Sequence, residues 1–528
     1  MGCNKSSDIA GGVGRRANRR RGSFASWTIG IIALVLVAIP ATSLARAGGG
    51  EGYSGGGGGY GGGGGHGGGG GGYLVYLLIQ LLFHYPIIGI PLLIVVVYVI
   101  YAQRQRGGGD DQSAFMQRGD EVIDPQLESN ILATLRQHDP QFSEPVFCQR
   151  VATAFYKIQQ AWTEQDLKLV RPFISDGVHE RFSLQFAEQR DAGVRDVLQG
   201  LAIDDVRIAD VSAAGVFDEI AVRIAAHAAD FRVGIADGQP RGGSMAVEPF
   251  VEVWSFLRKR GALTDMSKSG LMEGNCPNCG APIEINESAN CLRCKALLRS
   301  GEYDWVLSEI TQESEWERST QRPVPGLAAL RRQDPGFDSL AMEDRASVMF
   351  WRKAAANRLG KIDPLRKMAS EPFCKWYAAR LSPAGDGTRS FIGECAVGSV
   401  QMVGFIPGDS SSEFERALIE IRWSGRRAGV PVVARTLFVL GRKAGSQTDA
   451  GKSISSAHCP NCGAPQSSDM SNACDYCHTT LNDGAHGWVL VELAAFSSPR
   501  GEELLSSLSA ADNDRMGSPD VHQMYNPT

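Results

Sequence analysis

Two long apolar segments stand near the start of the chain, ahead of a region in which apolar and polar positions alternate more finely. The first runs from Trp27 to Ala45 without a charged residue, and basic residues precede it. Small side chains follow, with a plausible cleavage site near Ala45 or Ala47. This order predicts a signal peptide over residues 1–47, with an uncleaved first membrane segment as the alternative.

The second apolar segment, residues 73–102, contains no Asp, Glu, Lys or Arg. A helix of that length rises about 45 Å, whereas the hydrocarbon core of a bilayer is about 30 Å thick. We therefore predict a single transmembrane helix that is kinked or tilted, because Pro86, Gly89 and Pro91 interrupt it, with a re-entrant hairpin as the alternative. Because Arg104 and Arg106 follow it closely, the positive-inside rule places the rest of the chain on the cytoplasmic side of the cell inner membrane.

Beyond a polar linker at residues 103–125, the hydrophobic period changes from helical to alternating. Helical spacing predicts a helix over Pro145–Trp162, further helix over Glu164–Phe186, and a later helix over Asp344–Arg358. Alternation predicts six strands, Val197–Val211, Glu219–Ala229, Val247–Arg260, Phe391–Phe405, Phe414–Trp423 and Val432–Lys443. Helices followed by an antiparallel sheet indicate an α+β fold.

The same unit occurs twice. The heptapeptide that begins at Cys276 recurs letter for letter from Cys459, 183 positions later, and Leu135–Phe142 resembles Leu330–Phe337 at an offset of 195. Such agreement at nearly fixed offsets indicates a duplication. We call residues 126–315 the first copy and residues 326–495 the second copy, and we predict that residues 496–528 form a disordered tail.

Composition adds two constraints. Of the 63 glycines, 20 fall within residues 48–72, which predicts a flexible, disordered leash on the extracytoplasmic side of the membrane. The net charge of −5 gives no support to a general nucleic-acid binder. Large aromatic residues, among them Trp162, Trp254, Trp351 and Trp376, are predicted to lie in the core.

Eight of the twelve cysteines form four C-x-x-C pairs, two pairs in each copy. We call residues 276–294 the first ribbon and residues 459–477 the second ribbon. The predicted metal ligands are Cys276, Cys279, Cys291 and Cys294 in the first ribbon and Cys459, Cys462, Cys474 and Cys477 in the second. Four thiolates satisfy tetrahedral Zn²⁺, so we predict two structural zinc sites. A redox dithiol and disulfides are the alternatives. Because four protein ligands leave no open position, and no catalytic motif is visible, we predict that the protein is not an enzyme.

The order of a signal-like segment, a glycine tract, an apolar span, helices and a sheet, with Val251–Arg258 and then Trp305-Val-Leu, resembles the Tim-forty-four-like domain family. That family includes the matrix-side tether of the mitochondrial inner-membrane translocase and bacterial membrane-anchored relatives. The resemblance implies cones similar to nuclear transport factor two, with helices packed on a twisted antiparallel sheet around an apolar pocket. Here two such cones would stand in tandem, each with an inserted four-cysteine zinc ribbon.

These features together predict a membrane-anchored, non-enzymatic scaffold or tether with two zinc-stabilised domains. Its expected partners are the membrane and a protein, with no nucleic acid. The alternative is that the cone pockets bind a lipid or a small apolar ligand. Each copy is expected to fold around its own core and metal, so that replacing Cys276 would destabilise the first copy alone.

Overall fold

The computed structural model describes residues 132–133, 135–212, 215–265, 267–283, 290–313, 316, 324–381, 391–408, 414–428, 430–452, 454 and 456–516. The predicted signal peptide, leash, transmembrane helix and linker, residues 1–125, lie outside these ranges. Within the described ranges, no helix combines the length and apolar character that a membrane crossing needs.

In the described part of the first copy, two long helices precede a four-stranded sheet. The helices are α1 (Glu144–Glu164) and α2 (Asp176–Asp191), and the strands are β1 (Val194–Ser212), β2 (Phe217–Gly234), β3 (Pro240–Lys259) and β4 (Val306–Gln312). All neighbouring strands are antiparallel, in the order β1-β2-β3-β4. The first ribbon lies in the connection between β3 and β4, which pair with each other.

The second copy repeats this architecture. Its helices are α3 (Leu327–Gln333), α4 (Ser339–Leu359), α5 (Asp363–Arg366) and α6 (Glu371–Leu381), and its strands are β5 (Ile392–Ile406), β6 (Phe414–Arg427), β7 (Val430–Lys443) and β8 (Val489–Ala495). The order is β5-β6-β7-β8, again antiparallel. The two central strands of each sheet, β2 with β3 and β6 with β7, pair in the same register in both copies. Phe217 lies opposite Lys259 in the first sheet, and Phe414 lies opposite Lys443 in the second. The predicted mixture of helices with antiparallel sheets is therefore confirmed.

One predicted helix is wrong in its bounds. The chain does not continue as helix from Glu164, because Gln165 adopts a left-handed conformation with φ of 54° and ends α1. A new helix begins only at Asp176, where the Ser175 hydroxyl accepts a hydrogen bond from the amide of Val178 at 3.3 Å. A serine in that position satisfies one of the free amides of a helix start.

Each copy has a core between its helices and its sheet. The first core contains fully buried aromatic side chains from both layers, such as Phe155 and Phe182 from the helices and Trp254 from β3. In the second copy Phe350 of α4 packs against Phe438 of β7, with ring centroids 6.3 Å apart. Of the four tryptophans predicted to be core, Trp162, Trp254 and Trp351 are buried. The prediction is wrong for Trp376, which is 43% exposed.

The prediction of a disordered tail is wrong for much of its length. Residues 499–516, predicted to be disordered, form helix α7 (Pro499–Met516), and residues 517–528 lie outside the described ranges. The buried side chains of Leu504 and Leu508 join a small core with Leu418 and Leu437 on the outer face of the second sheet. Helix α7 covers apolar sheet surface that would otherwise face water, and this burial outweighs the polar composition of the segment.

We expect Leu508→Ala to lower the free energy of unfolding by about 2 kcal/mol or more, because it removes buried methyl groups from a packed contact. Leu508 methyl carbons lie within 2.5 Å of where a side chain on Gly404 would begin, so the contact is close. Urea unfolding would measure the change. Ser506→Ala on the exposed face of α7 is the matched control and should stay within about 0.5 kcal/mol. Equal midpoints for the two variants would contradict docking of α7.

Candidate metal centres

Four turns of one geometry hold the eight cysteines. In each turn the first cysteine's carbonyl accepts a hydrogen bond from the amide four residues later, at 2.7–2.9 Å. That fourth residue has a positive φ in all four turns: Gly280, Lys295, Gly463 and His478. Glycine adopts this conformation without strain, whereas lysine and histidine reach it less readily. The Cys-Pro-Asn-Cys-Gly pattern therefore indicated two of the turns, while Lys295 and His478 carried no such signal.

The turns bring all eight predicted ligands together in two separate clusters. In each cluster the four Sγ atoms lie within 4.8 Å of one another. The contacts between turns are 3.6 Å for Cys276–Cys294 and 3.9 Å for Cys279–Cys291. In the second ribbon they are both 3.7 Å, for Cys459–Cys477 and Cys462–Cys474.

These separations fit a shared metal ion. A tetrahedron with metal–sulfur bonds of about 2.3 Å has sulfur–sulfur edges of about 3.8 Å. A disulfide requires about 2.05 Å, and all eight cysteines are free. Each cluster can therefore hold one metal ion within four thiolates.

In each ribbon, one cysteine has a thiol pKa that the surrounding protein lowers even without a metal. Hydrogen bonding from the Ala296 amide lowers the pKa of Cys294 to about 6, and the Thr479 hydroxyl lowers the pKa of Cys477 to about 5. By contrast, burial raises the pKa of Cys276 and of Cys459 to about 12. A bound cation would have to displace protons from the buried pair, since only the thiolate is a good ligand.

Each ribbon is joined to the sheet beside it. Cys276 and Cys291 belong to the first core, so the cysteine cluster lies directly against the apolar interior. In the second ribbon the buried Lys367, at the end of α5, donates to Ser467 at 2.6 Å and lies 3.2 Å from Asp469. The ribbons are therefore integral parts of the two copies.

A duplicated ion pair closes the end of each β-strand that leads to a ribbon. In the first copy, Arg258 donates to Asp139 at 2.9 Å, and its guanidinium lies 4.3 Å from the centre of the Trp305 ring. In the second copy Arg442 contacts Asp334 at 2.6 Å and lies over Trp488 at 4.5 Å. The sequence showed both the Asp-Pro motif and the Arg-Lys motif in duplicate, but only the fold shows that they are partners.

The two copies share one interface, which the sequence did not predict. Helix α2 packs against α4, and the close approach depends on Gly177, where a Cβ atom would come within 2.8 Å of the Asp344 carboxylate. The amide of Gly177 donates to Asp344 at 3.3 Å, and Arg352 donates to Glu180 at 2.9 Å.

The second ribbon takes part in the same interface through His458, which precedes its first cysteine. The Nδ1 atom of His458 lies 2.9 Å from the carboxylate of Asp176 at the start of α2, and the Ala457 amide donates to that carboxylate at 2.8 Å. Arg299, just after the first ribbon, lies 3.2 Å from Nε2 of His458. Residues around both ribbons therefore form one buried polar network, which favours coupled rather than independent folding of the two copies.

Residues 128–269 match the model of the Tim44-like domain, so the match lies in the first copy and ends before the first ribbon. None of the curated proteins matches the chain. A solved structure described as an "Ntf2 like protein involved in plasmid conjugation" is 6% identical over 54% of this chain and 92% of that chain. Its TM-score is 0.10, so that similarity carries no argument.

Proposed function

Because residues 128–269 carry a Tim44-like domain, we propose that this protein is a membrane-anchored, non-enzymatic scaffold for protein partners. It presents two domains with the cone shape similar to nuclear transport factor two, one in each copy, at the cytoplasmic face of the inner membrane. The apolar segment at residues 73–102 and the arginines that follow it support the anchor and its orientation.

We assign zinc to both four-cysteine clusters. Four thiolates at tetrahedral spacing suit Zn²⁺, and a full shell of protein ligands is typical of structural rather than catalytic sites. When bound, the metal would supply folding free energy, with Cys276 and Cys459 held against the rest of their copies. Metal analysis of the full-length chain is expected to return two zinc ions per chain, and one or none would contradict the assignment.

The observation that carries the partner-binding role is an apolar strand segment that both copies expose at corresponding places. In each sheet the first part of the third strand has no fourth strand beside it. Strand β4 pairs with β3 only from Glu252 onward, and β8 pairs with β7 only from Thr436 onward. We call residues 240–250 and 430–435 the overhangs. They expose Met245 by 65%, Val247 by 57%, Val430 by 64% and Val433 by 70%. Exposed apolar side chains grouped in this way are typical of surfaces that bind other proteins.

Site-specific photocrosslinking of the full-length protein in its native membrane tests this function. A photoreactive residue at Val247 or at Val433 is expected to yield the same adducts with a partner protein. Leu263 and Tyr476, exposed by 62% and 66% outside the overhangs, are the control positions. Adducts of equal yield at all four positions, or none at the overhangs, would contradict a scaffold that works through them. A reporter fused after Thr528 should score as cytoplasmic if the orientation is right.

A lipid or small apolar ligand within the cones remains the alternative. Large side chains such as Phe155 and Trp254 fill the space between the described helices and the first sheet. This packing favours the scaffold. Native mass spectrometry of the full-length protein, released from detergent, would show a copurifying lipid if the alternative holds.

A further inference from the structure

An arginine that is neutralised in the first copy has lost its carboxylate partners in the second. In the first copy Arg150 of α1 lies between two acids. Its Nε atom is 2.8 Å from Glu273, and its Nη2 atom is 2.7 Å from Asp304. The Asp304 carboxylate also accepts a hydrogen bond from the amide of Leu271 at 2.8 Å. The space between α1 and the segment that leads into the first ribbon is therefore closed by an ion-paired cluster.

The offsets of the duplication identify the corresponding residues in the second copy. Arg345 of α4 follows Arg150 by 195 positions, Ser456 follows Glu273 by 183, and Gly487 follows Asp304 by 183. The arginine is retained, while both carboxylates are replaced by small neutral residues.

Arg345 consequently has only neutral acceptors. Its Nε atom donates to the carbonyl of Trp488 at 2.7 Å, and its Nη1 atom lies 3.5 Å from the carbonyl of Ser456. Among the described residues, no carboxylate comes within salt-bridge distance of Arg345, and Nη2 has no acceptor. Burial, followed by the nearby charge of Arg352, lowers the pKa of Arg345 to about 10, against a smaller opposing effect of the Asp344 carboxylate. A guanidinium in this state gains from any anion that reaches it.

An open cavity reaches this guanidinium. It has a volume of about 330 Å³ and lies between the start of α4, the loop after β7 and the second ribbon. Its lining includes the cationic or polar side chains of Arg345, Lys452 and His486 and the apolar side chains of Phe337, Met342 and Trp488. A volume of this size accommodates a small molecule rather than a single ion.

The other charges on the wall are already partnered within the chain. Arg442 contacts both Asp334 and Glu415. The Asp338 carboxylate accepts hydrogen bonds from the amide of Leu340 at 2.9 Å and from the amide of Val216 at 2.7 Å. Asp449 pairs with Lys452 at 3.2 Å at the rim. Arg345 is therefore the cation in this wall that lacks a carboxylate partner among the described residues.

We propose that this cavity binds a small molecule through a phosphate group, which takes the place that the Asp304 and Glu273 carboxylates fill in the first copy. The Arg345 guanidinium forms the primary contact, since its planar array of donors matches phosphate oxygens. Lys452 supplies a second cation at the rim once it exchanges its Asp449 partner for the ligand, and Trp488 and Met342 contact the apolar part of the ligand. The phosphate belongs either to a soluble metabolite or to a lipid headgroup.

Calorimetric titration of the full-length chain tests the site, with inorganic phosphate and dihexanoyl phosphatidic acid as the two probes. Gly487→Asp restores the carboxylate of the first copy beside Arg345. A Cβ atom at Gly487 would lie 3.5 Å from Nη2 of Arg345 and 3.7 Å from Pro460, and the backbone there is outside the left-handed region, so a side chain fits. We expect this variant to weaken phosphate binding at least tenfold by supplying an internal competitor for Arg345.

Gly487→Asn is the matched control, because it adds the same volume without charge and should leave the affinity within about threefold of the wild type. Lys452→Met serves as a second variant, expected to weaken binding several-fold. Metal content and unfolding midpoint establish that each variant is folded. Binding of inorganic phosphate identifies a soluble ligand as the source, whereas much tighter binding of phosphatidic acid identifies a lipid headgroup.

The proposal is overturned if neither probe binds the wild type, or if Gly487→Asp and Gly487→Asn bind equally well. These variants leave both overhangs unchanged, so a failure here is independent of the scaffold role.

Discussion

Replacing Cys276 with serine is expected to destabilise both copies, not the first alone. Cys276 is completely buried in the first core, and that core also contains Ile454 and Ala341 from the second copy. The zinc proposed for this cluster would contribute about 10–16 kcal/mol if it binds as in small modules, so the loss is expected to be large. Loosening the first ribbon would also release Arg299 from its contact with His458.

Hydrogen exchange measured by mass spectrometry on the full-length chain can separate the two copies. We expect peptides from α2 and β4 to lose protection most, and peptides from α4 to lose it as well. Cys148→Ser, at a half-buried cysteine that is not a ligand, is the control and should preserve protection in both copies. Wild-type exchange throughout α4 and β6 in the Cys276 variant would show that the copies are independent after all.

Replacing Asp176 with alanine is the second change with a large expected effect. The carboxylate is 1% exposed and contacts Arg171, the amide of Ala457 and the ring of His458. Removing one member of a buried charged network leaves the others unpaired, at a cost of about 3–5 kcal/mol. Although burial raises the pKa of Asp176, Arg171 and then His458 hold it well below its usual range.

Urea unfolding followed by tryptophan fluorescence measures this cost. Asp191→Ala is the matched control, because Asp191 forms an ion pair with Arg358 across the same interface but is 66% exposed. Exposed pairs are worth less than about 1 kcal/mol. Since the pKa of Asp176 is lowered in the folded state, its contribution is present above about pH 4 and is lost as the pH falls through the folded value. Equal losses in the two variants would contradict a central role for Asp176 in coupling the copies.

Several elements could be predicted because their signals are local. Alternation of apolar residues located the strands to within a few positions, as for β2 and β6, because successive side chains of a strand point to opposite faces of the sheet. The spacing of the eight cysteines identified both clusters, because two C-x-x-C turns at a fixed distance have few stable arrangements other than a shared metal. The helix after Ser497 was missed, although Leu504 and Leu508 carried the spacing of an apolar helix face.

The amino-acid sequence by itself determined the duplication, the α+β order of each copy and the eight cysteines of the two clusters, because each depends on repeats, periods or spacings within one segment. The tertiary structure alone decided how the copies depend on each other. Asp176 and His458 stand 282 positions apart, and nothing in either local pattern indicates their contact. Likewise the lack of carboxylate partners at Arg345 becomes visible only by comparison with Arg150. The partners of Arg150 are Glu273 and Asp304, which lie 123 and 154 positions away in the sequence. Such pairings arise from packing between distant segments, which local periodicity cannot specify.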